Sequence, residues 1–133
     1  MKNISKVGVK QYIIISFFLI ITIYGCDQII PINKLVFRDC KIYSENQLFT
    51  GKYKQNKGNQ YILTKVSEGK VLFEKIFINN KLLMEKKFDS CGSGFQKNYN
   101  LKGKILSKGT FVNYERKGEW EYFIQDSVYI IKY

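Results

Sequence analysis

From residue 35 onward the sequence predicts an all-β fold, an antiparallel meander of stacked β-hairpins building an elongated, twisted sheet. Three observations predict it. Short runs rich in Ile, Val, Tyr and Phe follow one another, and no stretch sustains a capped helical period. Gly and Asn residues that tolerate positive φ punctuate these runs, as tight hairpin turns require. Related segments also recur along the chain, which is what stacked hairpins leave in a sequence.

The N-terminus reads differently. Lys2, Lys6 and Lys10 carry positive charge with no acid among them, and residues 12–24 (YIIISFFLIITIY) form a nearly unbroken apolar run. That run is shorter than the roughly 20 residues of a membrane-crossing helix and fits the about 7–15 residues of a signal-peptide core. It ends at Ile23-Tyr24-Gly25-Cys26. This segment resembles the lipobox of bacterial lipoproteins, with an aliphatic residue at −3, a small residue at −1 and the cysteine whose sulfur takes the lipid. The resemblance implies that residues 1–25 are a cleaved signal-peptide helix and that Cys26 carries acyl groups, palmitate among them. It places the protein in the bacterial cell envelope, held to a membrane by its lipid. Asp27 resembles an inner-membrane retention signal of enteric bacteria, a rule other groups do not follow, so inner and outer membrane both stay open. An uncleaved membrane anchor is the alternative.

Residues 26–34 are then the lipid-bearing residue and a short lead, and 35–133 the β-repeat domain. Pro31, which has no N–H to give a ladder, is expected to lie ahead of the sheet. The predicted strands are 35–42, 47–54, 60–66, 70–78, 81–89, 95–100, 104–112, 118–124 and 127–132. Between them lie Lys57-Gly58-Asn59, Glu68-Gly69, Asn79-Asn80, Gly92-Ser93-Gly94, Lys102-Gly103 and Gln125-Asp126.

Charge and cysteine content bound the function. The whole chain carries 22 Lys and Arg against 11 Asp and Glu. Residues 1–25 hold three of the basic residues and none of the acids, which leaves 19 against 11, or +8, on the mature chain. Such a charge favours anionic lipid, anionic glycan or an acidic envelope protein, and export excludes nucleic acid as the usual partner. Lysines that merely solvate strand faces are the plain alternative. Lipidation of Cys26 leaves Cys40 and Cys91, an even remainder that suggests a disulfide in an exported protein, with two free buried thiols as the other reading. Two cysteines and no histidine are too few soft ligands for a metal site, and no cofactor is expected.

Three segments align: Gly69-Lys-Val-Leu-Phe-Glu-Lys-Ile-Phe77, Asn80-Lys-Leu-Leu-Met-Glu-Lys-Lys-Phe88 and Gly103-Lys-Ile-Leu-Ser-Lys-Gly-Thr-Phe111. Each gives Gly or Asn, Lys, an aliphatic residue, Leu, and an aromatic five residues after the Leu; Leu48 and Tyr53 fit loosely. A Leu and an aromatic five apart point to opposite faces of a regular strand. Gly51 and Gly109, between the two in their copies, are therefore expected to mark bulges.

Residues 103–123 read GKILSKGTFVNYERKGEWEYF. Through Gly103, Lys104, Gly109, Phe111, Lys117, Gly118, Trp120, Tyr122 and Phe123 the segment resembles one unit of the MORN-repeat-variant proteins, some of them labelled antitoxins. Residues 45–88 match more loosely. The resemblance implies stacked hairpins acting as a binding or scaffold module without catalytic residues, and offers an immunity or antitoxin-type inhibitor as an alternative role.

Catalytic constellations are sparse. The commonest general base is absent with histidine. Glu119 and Glu121 share a strand face beside Trp120, a spacing that more often gives a solvated face than a glycosidase pair. Cys40 and Cys91 lack redox-motif spacing, and Gly92-Ser93-Gly94 precedes a strand rather than a helix. No enzymatic activity is expected. A set of aromatic residues interleaved with Lys, including Tyr61, Phe73, Phe77, Phe88, Phe95, Phe111, Trp120 and Tyr122, suits either a small core or a protein or glycan interface.

Overall fold

The computed structural model describes residues 29–133, which form twelve strands and one turn of 3-10 helix. The expected signal-peptide helix and the expected lipobox residues Ile23, Tyr24, Gly25 and Cys26 lie outside the described residues. The strands are β1 (Ile29–Pro31), β2 (Leu35–Arg38), β3 (Lys41–Ser44), β4 (Gln47–Leu48), β5 (Gly51–Lys57), β6 (Gln60–Ser67), β7 (Lys70–Ile78), β8 (Lys81–Ser90), β9 (Ser93–Tyr99), β10 (Ile105–Val112), β11 (Glu115–Ile124) and β12 (Ser127–Lys132). The main sheet has nine strands in the order β1-β5-β6-β7-β8-β9-β10-β11-β12, and β2-β3-β4 form a second, small sheet. From β5 to β12 every strand pairs antiparallel with its successor, so the expected all-β meander is the architecture found.

Two expectations are corrected at the N-terminal end. The sheet does not begin after Pro31: Ile29–Pro31 pairs parallel with Lys52–Lys54. Pro31 stands on the outermost strand, where a residue without an N–H removes no bond between two neighbours. Each of the runs 35–42 and 47–54 is broken. Asp39 and Cys40 take φ of 50° and 58°, and this two-residue turn folds β2 back on β3. Positive φ at Cys gives no sequence signal, unlike the Asn79-Asn80 turn at 48° and 62°. The second run breaks at Phe49-Thr50, between β4 and β5.

The small sheet packs on the main sheet through a cluster of Leu35, Ile42, Phe49, Tyr53 and Val66, with Ile30, Ile32 and Val71 against it. The Glu68-Gly69 turn is threaded into this contact: Ile42 N–H donates to Gly69 O at 2.9 Å, and Gly69 N–H to Phe49 O at 2.8 Å. Gly69 takes φ of 75°, and a Cβ there would stand 3.1 Å from Ile42 O, so the turn favours glycine. The Cys40–Cys91 disulfide, with Cα atoms 5.8 Å apart, ties the β2–β3 turn to the β8–β9 turn.

The register explains the internal repeat. Lys65 pairs with Phe73 but Val66 with Val71, so Leu72 is an extra residue. Ile76 pairs with Met84 and Phe77 with Leu82, leaving Leu83 over. Ile105 pairs with Tyr99 and Ser107 with Asn98, leaving Leu106 over. The aligned Leu of all three segments is thus a bulge residue at the third position after a turn, where it shifts the phase of its strand. No bulge occurs at Gly51, whose strand pairs regularly with β6. At Gly109 a shift does occur, with the extra residues Gly118 and Glu119 on β11.

Candidate functional site

Following cross-strand partners gives the main sheet two unlike faces. On one face a row runs Tyr53, Thr64, Glu74, Lys86, Gln96, Gly109, Trp120, Ile131 from β5 to β12. This is the face the small sheet covers in part. On the other, one row runs Lys54, Leu63, Lys75, Glu85, Lys97, Lys108, Glu121, Ile130, again across eight strands. A second row beside it runs Lys52, Lys65, Phe73, Lys87, Phe95, Thr110, Lys117. Tyr61 and Phe77 stand in a third. Period-2 alternation, with its phase corrected by the Leu bulges, therefore sorts most of the sheet's lysines onto one face, with Lys57, Lys81 and Lys86 on the other.

Contacts on the lysine face agree with this sorting. Lys75 pairs with Glu85 at 3.4 Å and Lys108 with Glu121 at 3.0 Å. Lys54 Nζ lies 4.0 Å from the Tyr61 ring centre, Lys75 5.3 Å from Phe73 and Lys108 5.5 Å from Phe123. Tyr61 and Phe77 stack with ring centres 4.7 Å apart. The two acids at the middle of the face are thus matched, while Lys65 and Lys87 stay exposed to solvent. Among the described residues no second layer covers this face, and Phe95 is 36% exposed on it. Burying lysine stems beside rings while the ammonium groups stay wet suits both groups. The ring faces hold the neighbouring ammonium groups by cation–π attraction.

The other face holds the repeat residues. Gly109 and Trp120 are cross-strand partners, and the indole lies over the glycine. Trp120 is fully buried and its Nε1–H donates to Thr110 O at 2.7 Å. Phe111, 2% exposed, meets Phe88 edge-on at 5.3 Å. Gly118 has φ of 70° at the bulge on β11, and its backbone pairs with Tyr133. Tyr122 accepts from Arg116 Nη1 at 2.6 Å, and Arg116 reaches Tyr133 Oη at 3.0 Å while stacking 4.7 Å from Trp120. Gly103 makes the β9–β10 turn with φ of 79°, and Lys104 N–H donates to Asn100 Oδ1. Lys117 and Phe123 fall on the lysine face. Gly109, Phe111, Gly118, Trp120 and Tyr122 therefore form one packed unit, whereas Gly103 and Lys104 belong to a distant turn.

Between the small sheet and the main sheet lies a cleft of about 750 Å³, lined by Phe37, Arg38, Tyr53, Leu72, Glu74, Phe88 and Tyr114, with Cys40 and Cys91 in its wall. Burial holds the Glu74 carboxyl above its ordinary value, with the Lys86 ammonium opposing. Burial likewise raises the Tyr53 phenol, and Glu74 adds to that. Thr64 Oγ1 is buried without a hydrogen-bond partner.

Glu119 and Glu121 do share a face, as expected, but it is the lysine face: Glu121 pairs with Lys108, and Glu119 stands opposite Lys132. The aromatic set divides between the faces, and of it only Phe111 and Trp120 are buried. What the sequence reading missed is the lysine set itself: Lys54, Lys65, Lys75, Lys87, Lys97 and Lys108. Lys52-Tyr53-Lys54 shows the alternation openly. Elsewhere the bulges break the period and hide it.

No family model matches the chain, and no curated protein matches it. Two solved structures of TarM are similar in fold, one of them a mutant of the S. aureus protein in complex with fondaparinux, α-GlcNAc-glycerol and UDP. Each superposes with a TM-score of 0.50 at 12% identity, over 74% of this chain and 21% of the TarM chain. This chain thus spans about a fifth of the length of those TarM chains. The likeness is one of fold.

Proposed function

We propose that the protein is a lipid-anchored module of the bacterial cell envelope that binds an anionic partner through the lysine face and catalyses no reaction. The observation that carries this reading is the segregation of charge. Lys52, Lys54, Lys65, Lys75, Lys87, Lys97 and Lys108 share one face with Glu85, Glu119 and Glu121; Glu85 and Glu121 each pair with a lysine, and Glu119 stands opposite Lys132. Even solvation of strand faces would divide the lysines equally, whereas Lys57, Lys81 and Lys86 stand on the other face against these seven. An extended positive field raises the local concentration of anionic partners and speeds their association. The anchor part of the reading rests on the Ile23-Tyr24-Gly25-Cys26 sequence.

Two measurements test it. Cys26→Ser should abolish palmitate labelling and release the protein from membranes; persistent labelling sinks the anchor. In the second, envelope extracts are cross-linked to the native protein and to a variant carrying Lys65→Glu, Lys87→Glu and Lys97→Glu. The variant should lose the captured anionic ligand while keeping native Trp120 emission. Equal capture by both proteins would show that the lysine face is not the binding surface.

A further inference from the structure

We infer that the partner of the lysine face is the anionic phospholipid surface of the membrane to which Cys26 is anchored. The inference rests on the lipid-anchor reading above. Its geometry starts at β1. Ile29 stands opposite Lys52, and the same row continues through Lys65, Phe73, Lys87 and Phe95. Only Asp27 and Gln28 separate Cys26 from Ile29. Three residues of extended chain reach at most about 11 Å. The end of this row is therefore held near the headgroups, at a distance close to the Debye length of about 8 Å at physiological salt.

With strands about 4.8 Å apart, nine of them make a face roughly 38 Å wide. A face of that width, tethered at one edge, can be laid against a bilayer. The tether also makes each lysine–phosphate contact intramolecular, so contacts too weak to hold a soluble protein suffice here. The face offers spaced ammonium groups, with Phe73 and Phe95 flanking Lys87, rather than a shaped pocket with converging donors. A distributed array of that kind suits many separate phosphates better than one anionic ligand, and aromatic rings settle at the headgroup level. A shape-specific acidic protein would call for fixed, paired donors instead.

The test uses the full, lipidated protein reconstituted into phosphatidylcholine vesicles with or without phosphatidylglycerol. A membrane-impermeant lysine-acylating reagent is read by mass spectrometry at Lys65, Lys87 and Lys97, with Lys57 at the end of β5 and Lys102 in the β9–β10 turn as references. On vesicles with phosphatidylglycerol the three face lysines should react roughly fivefold more slowly relative to the references. On phosphatidylcholine alone they should react at the reference rate. A variant with Lys65→Glu and Lys97→Glu, its fold checked by Trp120 emission, should lose the protection at Lys87. Equal rates on both vesicles would overturn the membrane as partner and leave the anionic-partner reading standing. Protection by a soluble polyanionic glycan but not by phosphatidylglycerol would overturn it in favour of that ligand. A Cys26 peptide without acyl mass would overturn the anchor and this inference together.

Discussion

Replacing Gly109 by Ala places one methyl group under the Trp120 indole. The added Cβ would stand 2.5 Å from ring atoms Cγ and Cδ2 and 2.6 Å from Cδ1. Carbon atoms rest at about 3.5–4.0 Å, so the ring must retreat by roughly 1 Å. It has little room to do so, because Trp120 is fully buried, Arg116 stacks 4.7 Å from it and Tyr133 meets it edge-on at 6.3 Å. A retreat also pulls Nε1–H from Thr110 O, now 2.7 Å away. Overpacking costs about 1–3 kcal/mol and a buried donor left unpaired about 1–3 kcal/mol more, so a loss of about 2–6 kcal/mol is expected. The assay is urea unfolding followed by the emission of Trp120, the one tryptophan in the chain. Gly58→Ala is the control: its added Cβ meets nothing within 4 Å, and its φ of 63° isolates the backbone penalty, about 1 kcal/mol. If Gly109→Ala costs no more than about 0.5 kcal/mol, as surface substitutions do, and leaves the emission maximum in place, the close approach of ring and backbone is refuted.

Three further outcomes can be checked. Removing the disulfide by Cys40→Ser with Cys91→Ser opens a loop spanning 51 residues, and about 2–4 kcal/mol of stability should be lost. The Ile42 and Phe49 amides, which bond to Gly69 O and Ile42 O, should then exchange faster; unchanged exchange would show that the small sheet docks without the bridge. Burial keeps the folded Glu74 carboxyl above its ordinary 4.5, so the native state holds that proton more tightly than the unfolded chain. Its contribution to stability is full below pH 4.5 and is lost as the pH rises through the raised folded value. Glu74→Gln should therefore match the native protein at low pH and exceed it in melting temperature at pH 7; a less stable variant at pH 7 would mean that attraction to Lys86 outweighs burial. Finally, Ile130, 64% exposed on edge strand β12, should tolerate Lys within about 0.5 kcal/mol while reducing aggregation in light scattering, since a charge on an edge blocks strand addition. Unchanged scattering would locate self-association elsewhere.

The hairpins from β6 to β8 were legible because their turns use Glu68-Gly69 and Asn79-Asn80, residues whose φ tolerance announces a turn. The β2–β3 turn was not, because Asp39-Cys40 takes the same conformation under constraint from the disulfide and the packed small sheet. β1 escaped notice because Pro31 speaks against a strand everywhere except at an edge, and only the three-dimensional order shows that it lies at one. Trp120 and Gly109 were visible as a motif, but that one makes room for the other needed their register. The lysine face was the least legible part. Three Leu bulges each invert the assignment of residues to faces, so Leu82 and Met84 point to opposite sides although two apart. Counting alternate residues along β7, β8 and β10 from their first residue therefore places every later side chain on the wrong side.

Those bulges link the repeat to the proposed function. Ile105 stands in register with Tyr99 on the lysine face, and after Leu106 the residues Ser107, Gly109 and Phe111 face the other way. Were Leu106 held in regular alternation instead of bulged, Ser107, Gly109 and Phe111 would share the lysine face with Ile105 and Lys108 would turn to the packed one. Gly109 would then no longer lie under Trp120, and Lys108 would be lost from the row with Lys97 and Glu121. Deleting Leu106 removes the extra residue but keeps the alternation, since Ser107 then follows Ile105 directly onto the packed face. The deletion variant should therefore keep native Trp120 emission and the Lys108–Glu121 pair, now 3.0 Å. A red-shifted Trp120 emission would show that the bulge at Leu106, and not the phase alone, holds Gly109 under the ring.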